Sequence, residues 1–227
     1  PFNVKNNKVN FGEAGFFRTA YSKELLEKLR ESIQHKKLGA RDRLGIIRDL
    51  FALSEAGTIP TTDALVFLSA YKKEDNYTVW LEIASGLARI EQLLAKSGLA
   101  EKFDKLTLEL FSPLAHKLGW TKKPGEQHTD ALLRSLALDR AGQHGDKRII
   151  AEARQKFADI KKGKHIAPDI RGAVYSIVAT WGSKKEYDTF IKLYKKETLH
   201  EEKNRLGGAL GDFKNKRLLS ATCKFAV

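Results

Sequence analysis

The side chains in this chain that could hold a metal or act as nucleophile or base are six histidines, twenty-eight carboxylates and one cysteine. Two histidines bind one metal from a single helix only when they are about three to five residues apart. His35, His116, His128, His144, His165 and His200 never come that close together. His200-Glu201-Glu202 has the look of a ligand cluster but lacks a second histidine, and it reads as the solvent-facing start of a helix. Cys223 has Lys224 beside it, which favours a thiolate. With no histidine positioned to act as its base, it reads as an inert helix residue. No Gly-x-Ser-x-Gly elbow, phosphate loop or dinucleotide fingerprint occurs in the sequence. No catalytic residue and no metal ligand is therefore assigned.

Charge is the next feature that could define a function. Forty-one Lys and Arg against 28 Asp and Glu leave a formal net charge of +13, which could serve nucleic acid, anionic lipid or an acidic substrate. The distribution argues against the first two. Basic residues are interleaved with acids, as in Lys23-Glu24, Glu27-Lys28 and Arg30-Glu31. The short pure runs Lys161-Lys162, Lys184-Lys185 and Lys195-Lys196 fall on helix faces or ends, where the helix dipole favours cations at the C-terminal end. Trp80, Trp120 and Trp181 lie among aliphatic residues and are read as core packing rather than base-stacking platforms.

The elements that carry these residues are almost all helical. A chain of 227 residues with 42% hydrophobic and 30% charged side chains can bury a substantial core. No apolar stretch reaches the roughly 18 residues needed to cross a bilayer, and no signal peptide is recognisable at the start. A single cysteine forms no internal disulfide, which fits a reducing compartment or a secreted protein whose bridges lie elsewhere; a cytoplasmic location is expected. The chain begins with Pro1 and contains no methionine, so it is expected to be part of a longer protein. Residues 4–11 and 15–21 read as two short strands around a Gly-rich turn, the edge of a preceding β domain, so that segment 1–21 is separated from a helical region 22–227.

From Ser22 onward the apolar spacing is three and four. Ser22 is a helix N-cap ahead of Leu25, Leu26, Leu29 and Ile33. A second helix is expected over 41–56, closed by Gly57, and a third is capped by Thr61 or Thr62. A fourth follows Asp75-Asn76 and ends near Gly98, and a fifth covers 100–118 with Pro113 inside it as a kink or restart. Six shorter helices follow, over 127–141, 146–160, 168–180, 184–195, 200–210 and 212–224, with Ser183 as a cap. Turns are expected at Gly142, Gly145, Gly163, Gly182 and Gly211. The fold class is all-α: an irregular solenoid of paired antiparallel, HEAT-like helices with a short N-terminal β-ribbon.

Several segments also resemble a known family. Asn10-Phe11-Gly12-Glu13-Ala14-Gly15-Phe16-Phe17-Arg18-Thr19-Ala20-Tyr21 is similar to the entry into the C-terminal domain of aminopeptidase N-like (gluzincin) zinc peptidases, with Phe17 where tyrosine is usual and Thr19 where valine is usual. Asp42-Arg43 with residues 46–57, then Glu74-Asp75-Asn76-Tyr77-Thr78-Val79-Trp80, then Leu118-Gly119-Trp120, resemble the family's following segments. So do Ile166-Ala167-Pro168-Asp169-Ile170-Arg171 with Val174-Tyr175, Tyr187-Asp188, and Glu202-Lys203-x-Arg205-Leu206. Their order and rough spacing agree from about Asn10 to the end.

The resemblance implies a substrate-enclosing C-terminal domain of an enzyme that trims N-terminal residues from peptides. Zinc would belong to the parent enzyme, and this stretch would carry no cofactor. The family's His-Glu-x-x-His helix and Gly-x-Met-Glu-Asn loop are both absent here. The implied partners are a catalytic domain of the same chain and the peptide substrate, with no nucleic acid and no membrane. Arg171, Lys203 and Arg205, basic residues in resembling segments on late helices, are the candidate substrate-binding residues for a peptide's free carboxylate, the competing reading being that Arg171 and Arg205 make helix–helix salt bridges or cap carbonyls. Further helices after Val227 are expected. The competing classes are a stand-alone helical-repeat interaction scaffold and a basic nucleic-acid binder.

Overall fold

The computed structural model describes residues 4–5, 8–94, 96–160 and 163–226, so Asn6-Asn7, the Lys161-Lys162 run and Val227 lie outside the described residues. Among the described residues the chain forms eleven α-helices, three short 3-10 turns and one two-stranded ribbon. It divides into two compact units, Pro1–Ala100 and Glu101–Val227.

The N-terminal unit is built on α2 (Ala40–Glu55), which packs against α3 (Thr61–Phe67) and α4 (Tyr77–Leu94); α1 (Lys23–Gln34) lies on the 3-10 turn Leu68–Tyr71 that prolongs α3. Ser22 caps α1 as expected, accepting from the N–H of Leu25 at 3.3 Å. Ile46, Ile47, Phe51, Phe67, Tyr71, Trp80 and Ile83 fill the core. Gly86 allows close approach: a Cβ there would lie 2.3 Å from the Phe51 ring.

One buried ion pair joins two segments of this core. The Arg43 guanidinium grips the Glu74 carboxylate with both arms, Nε to Oε2 at 2.6 Å and Nη2 to Oε1 at 2.7 Å, and gives its remaining arm to the Leu38 carbonyl. Glu74 also accepts the N–H groups of Asp75 and Asn76, while its carbonyl takes the Trp80 indole N–H. A buried charge pair is tolerated only when its remaining bonding capacity is satisfied in this way.

The entry segment differs from expectation. β1 (Val4–Lys5) and β2 (Lys8–Val9) form an antiparallel ribbon within the first expected strand, while residues 15–21 form no strand. That stretch is tied to a helix instead. Asn10 closes a loop by exchanging hydrogen bonds with Gly15 (2.7 and 3.0 Å), and Asp49 on α2 accepts from the Arg18 side chain and the Thr19 N–H. Glu13 holds the buried Lys8 ammonium at 2.6 Å and the Arg48 guanidinium at 2.9 Å.

Smaller corrections have equally local causes. α3 has Pro60, not a threonine, at its N-cap, and the Thr61 hydroxyl is engaged by Ser54 at 2.8 Å. Gly57 and Gly98 adopt the left-handed conformations expected of helix ends, and α4 already ends at Leu94.

In the C-terminal unit α5 (Ala100–Leu118) runs through Pro113 without a break. It is followed by α6 (His128–Gln143), α7 (Lys147–Ile160), α8 (Pro168–Thr180), α9 (Lys184–Lys196), α10 (His200–Ala209) and α11 (Lys216–Ala226). α8 is the central helix, flanked by α6, α7, α9 and α10. Ser183 caps α9 in a reciprocal box with Glu186. Gly142 is inside α6 rather than in a turn, and Gly211 sits in the 3-10 turn Leu210–Asp212. α11 starts later than expected because Asn215 caps it, its Oδ1 accepting from the N–H of Arg217 at 2.9 Å. Trp181 is a second departure: unlike buried Trp80, it is 36% exposed at the end of α8.

Candidate functional site

The three basic residues singled out from the sequence all come from the α8–α10 region. Pro168 starts α8, where its fixed φ suits the first turn, and this places Arg171 and Tyr175 one turn apart on the side facing α10. Glu202 lies in the first turn of α10, with Lys203 and Arg205 close behind it.

Glu202 is the centre of the arrangement. Its Oε2 accepts from Arg171 Nη1 at 2.9 Å and from Arg205 Nη1, and its Oε1 accepts from the Tyr175 hydroxyl at 2.8 Å. Burial pushes the Glu202 carboxyl up, but the bonds from Arg171 and Tyr175 and the two guanidinium charges outweigh it and hold the group below the usual range. The Tyr175 hydroxyl is correspondingly raised by burial and by its bond to that carboxylate. Arg171 uses its other arms on the Ile166 carbonyl, and Arg205 reaches Glu201 at 2.8 Å. The structure thus brings Arg171 and Arg205 together on one acid. Lys203 is placed apart, its ammonium 5.5 Å from the centre of the Tyr194 ring, with no acidic partner among the described residues.

This cluster forms one wall of a cavity of about 240 Å³ between the end of α7, the start of α8, the end of α9 and α10. Arg171, Tyr175 and Glu202 line it from within, and Lys164, His165 and Lys196 stand around it. Lys164 is paired with Asp159 at 3.1 Å, while Lys196 has no acidic partner among the described residues. Glu197 lines the cavity as well, so its wall carries two carboxylates beside its basic side chains. Sequence reasoning missed Glu202 as a hub, since a carboxylate within a basic segment looked like ordinary helix surface; its 5% exposure marks it as buried.

The donors among the described residues do not fit a zinc centre. Among the described residues no group of three His, Cys, Asp or Glu side chains is placed to hold a metal ion. Among the described residues, His116 with Asp146 at 2.8 Å and His144 with Asp104 at 2.7 Å tie α5 to the turn between α6 and α7. No helix among the described residues is long and apolar enough to cross a membrane.

The chain is similar to known proteins along nearly its whole length. The family model described as "ERAP1-like C-terminal domain" matches residues 7–227. Aminopeptidase M1-A of Oryza sativa subsp. japonica is 32% identical over 229 residues, covering 97% of this chain and 26% of that protein. The puromycin-sensitive aminopeptidase of Caenorhabditis elegans is 30% identical, over 94% of this chain and 23% of that protein. The alanine/arginine aminopeptidase of Saccharomyces cerevisiae is 29% identical over all of this chain and 27% of its own length. The chain therefore spans about a quarter of the length of the curated relatives it matches. With nearly its whole length matched in this way, the chain belongs to the ERAP1-like C-terminal domain family.

Proposed function

We propose that the chain is the substrate-enclosing domain of a zinc aminopeptidase that removes N-terminal residues from peptides, working in the cytoplasm against a catalytic domain of the same polypeptide. The observation that carries this reading is the match over residues 7–227, together with relatives that are named aminopeptidases and are about four times as long. Zinc chemistry would come from the catalytic domain; among the described residues no three His, Cys, Asp or Glu side chains gather around one point. No reaction step is assigned to these residues. Their work is to bind and orient the far end of a peptide held elsewhere by its amine.

The finer architecture belongs to the same proposal. In each unit a helix packs not only on its neighbour in sequence but on the one after it, α2 on α4 and α6 on α8. That is the packing of stacked helical hairpins, and it supports an irregular, HEAT-like solenoid. Arg171, Lys203 and Arg205 are proposed as the carboxylate-facing side chains. Lys203 keeps its whole charge available, and Arg171 lines the cavity beside Lys196. The interleaving of acids and bases favours a peptide partner over nucleic acid. Aminopeptidase assay of the 227-residue chain alone, with metal analysis, tests the division of labour. No turnover and no stoichiometric zinc are expected; turnover with bound zinc would overturn the reading.

A further inference from the structure

A second cavity, of about 570 Å³, opens at the other end of α8, where α7 and α9 flank its C-terminus. Its size falls in the range of pockets that take small ligands. The stacked rings of Phe157 and Phe190, 4.7 Å apart, stand beside Tyr175 of the first cavity, and Phe157 also lines this one. The floor is apolar, made by Phe157, Val178 and the part-exposed indole of Trp181. The indole is held in place. Its N–H donates to the Gly142 carbonyl at 2.8 Å, the Trp181 carbonyl accepts from Arg154, and the Lys214 ammonium lies 3.9 Å from the ring centre.

The rim is cationic. Arg154 and Lys185 line the cavity, and neither has an acidic partner within salt-bridge distance among the described residues. The one acid lining it, Glu186, accepts from the Ser183 N–H at 2.9 Å and its hydroxyl at 2.6 Å, and it also feels the charge of Arg154. An apolar floor with a fixed aromatic plane, edged by the Lys185 ammonium and by the Arg154 guanidinium with one arm on the Trp181 carbonyl, is complementary to a molecule with an aromatic half and an anionic half.

We propose that this cavity binds a small aryl carboxylate, the ring lying against Trp181 and Phe157 and the carboxylate between Lys185 and Arg154. The site is independent of the peptide reading, since it uses none of the residues assigned there.

The test follows the fluorine signal of 4-fluorophenylacetate during titration with the 227-residue chain. A saturable shift with a dissociation constant on the order of 1 mM is expected. The neutral 4-fluorophenylacetamide should bind at least about tenfold more weakly, and Lys185→Ala should weaken the acid about fivefold. Ala158→Trp, at an exposed position of the wall, should abolish the shift while far-ultraviolet circular dichroism and the melting temperature stay unchanged. Four outcomes would overturn the proposal: no saturable shift, equal binding of the amide, displacement of the acid by equimolar inorganic phosphate, or unaltered binding by both variants.

Discussion

Arg171 of α8 and Arg205 of α10 donate to the same oxygen of Glu202. Two positive charges on a carboxylate that is 5% exposed form a joint between helices, because neither arginine can leave without uncovering a buried charge. Glu202→Gln should therefore lower the unfolding free energy by about 3 kcal/mol, the cost of breaking a buried pair by removing one partner. Urea unfolding would measure it. A loss under about 0.5 kcal/mol would show that solvent reaches the cluster.

The Arg43–Glu74 pair makes a stricter demand. Lysine cannot reproduce two parallel bonds to Glu74 and a third to the Leu38 carbonyl. Arg43→Lys is expected to cost about 2–4 kcal/mol in the same measurement, although formal charge is kept. A near-neutral Arg43→Lys would mean that charge alone, without fork geometry, holds the pair.

Close packing gives a third expectation. Gly86→Ala places a methyl group 2.3 Å from the Phe51 ring and should cost about 1–3 kcal/mol by overpacking, despite the better helix propensity of alanine. Gly208→Ala meets nothing within 4 Å and should be neutral or stabilising. Equal melting temperatures for the two variants would contradict the packing described for α2 and α4.

Asp139 supplies the pH dependence. It sits on α6 beside Gln143, which donates to it at 3.0 Å, and close to Ser176 and Asp212. Burial pushes its carboxyl up to about 6; Arg140 opposes the shift, and the Asp212 charge adds to it. A raised carboxyl binds its proton more tightly in the folded state than in the unfolded one. Its protonation therefore favours folding at acid pH, and that benefit is lost as pH rises from about 4 to about 6. Asp139→Asn removes the ionisation and should stabilise the chain by about 1 kcal/mol at pH 7.5, with the gain vanishing below about pH 4. Melting curves across that range would check it, and a gain that grew at low pH would refute the assignment.

Most helices could be read from apolar spacing and caps. α8 starts at Pro168 and α9 is capped at Ser183, as expected, because those signals are local and strong. The entry segment was misread because its strand pattern is also local, whereas what decides its shape is distant: Asp49 and Arg48 on α2 bind residues 13–19. The site was legible only in part. Arg171, Lys203 and Arg205 could be picked out as basic residues on late helices, but pairing through Glu202 depends on which helix faces which. Sequence spacing gives no information about that for residues on separate helices. The resembling motifs around Asp42-Arg43 and Glu74 to Trp80 proved to be two sides of one buried network.

The division between chemistry elsewhere and peptide recognition here is tested most directly in the longer enzyme carrying this domain. The measurement is the ratio of kcat/KM for a peptide of about ten residues to that for a single amino-acyl amide, compared between the unaltered enzyme and Arg171→Ala, Lys203→Ala and Arg205→Ala. Loss of one charged hydrogen bond to the peptide's carboxylate should lower the ratio by roughly 1–3 kcal/mol in transition-state terms, with the amide spared. Lys203→Ala is the cleanest arm, because that ammonium holds no acidic partner among the described residues. Equal losses on long and short substrates, or no loss with Lys203→Ala and Arg171→Ala alike, would contradict a substrate-enclosing role for this face.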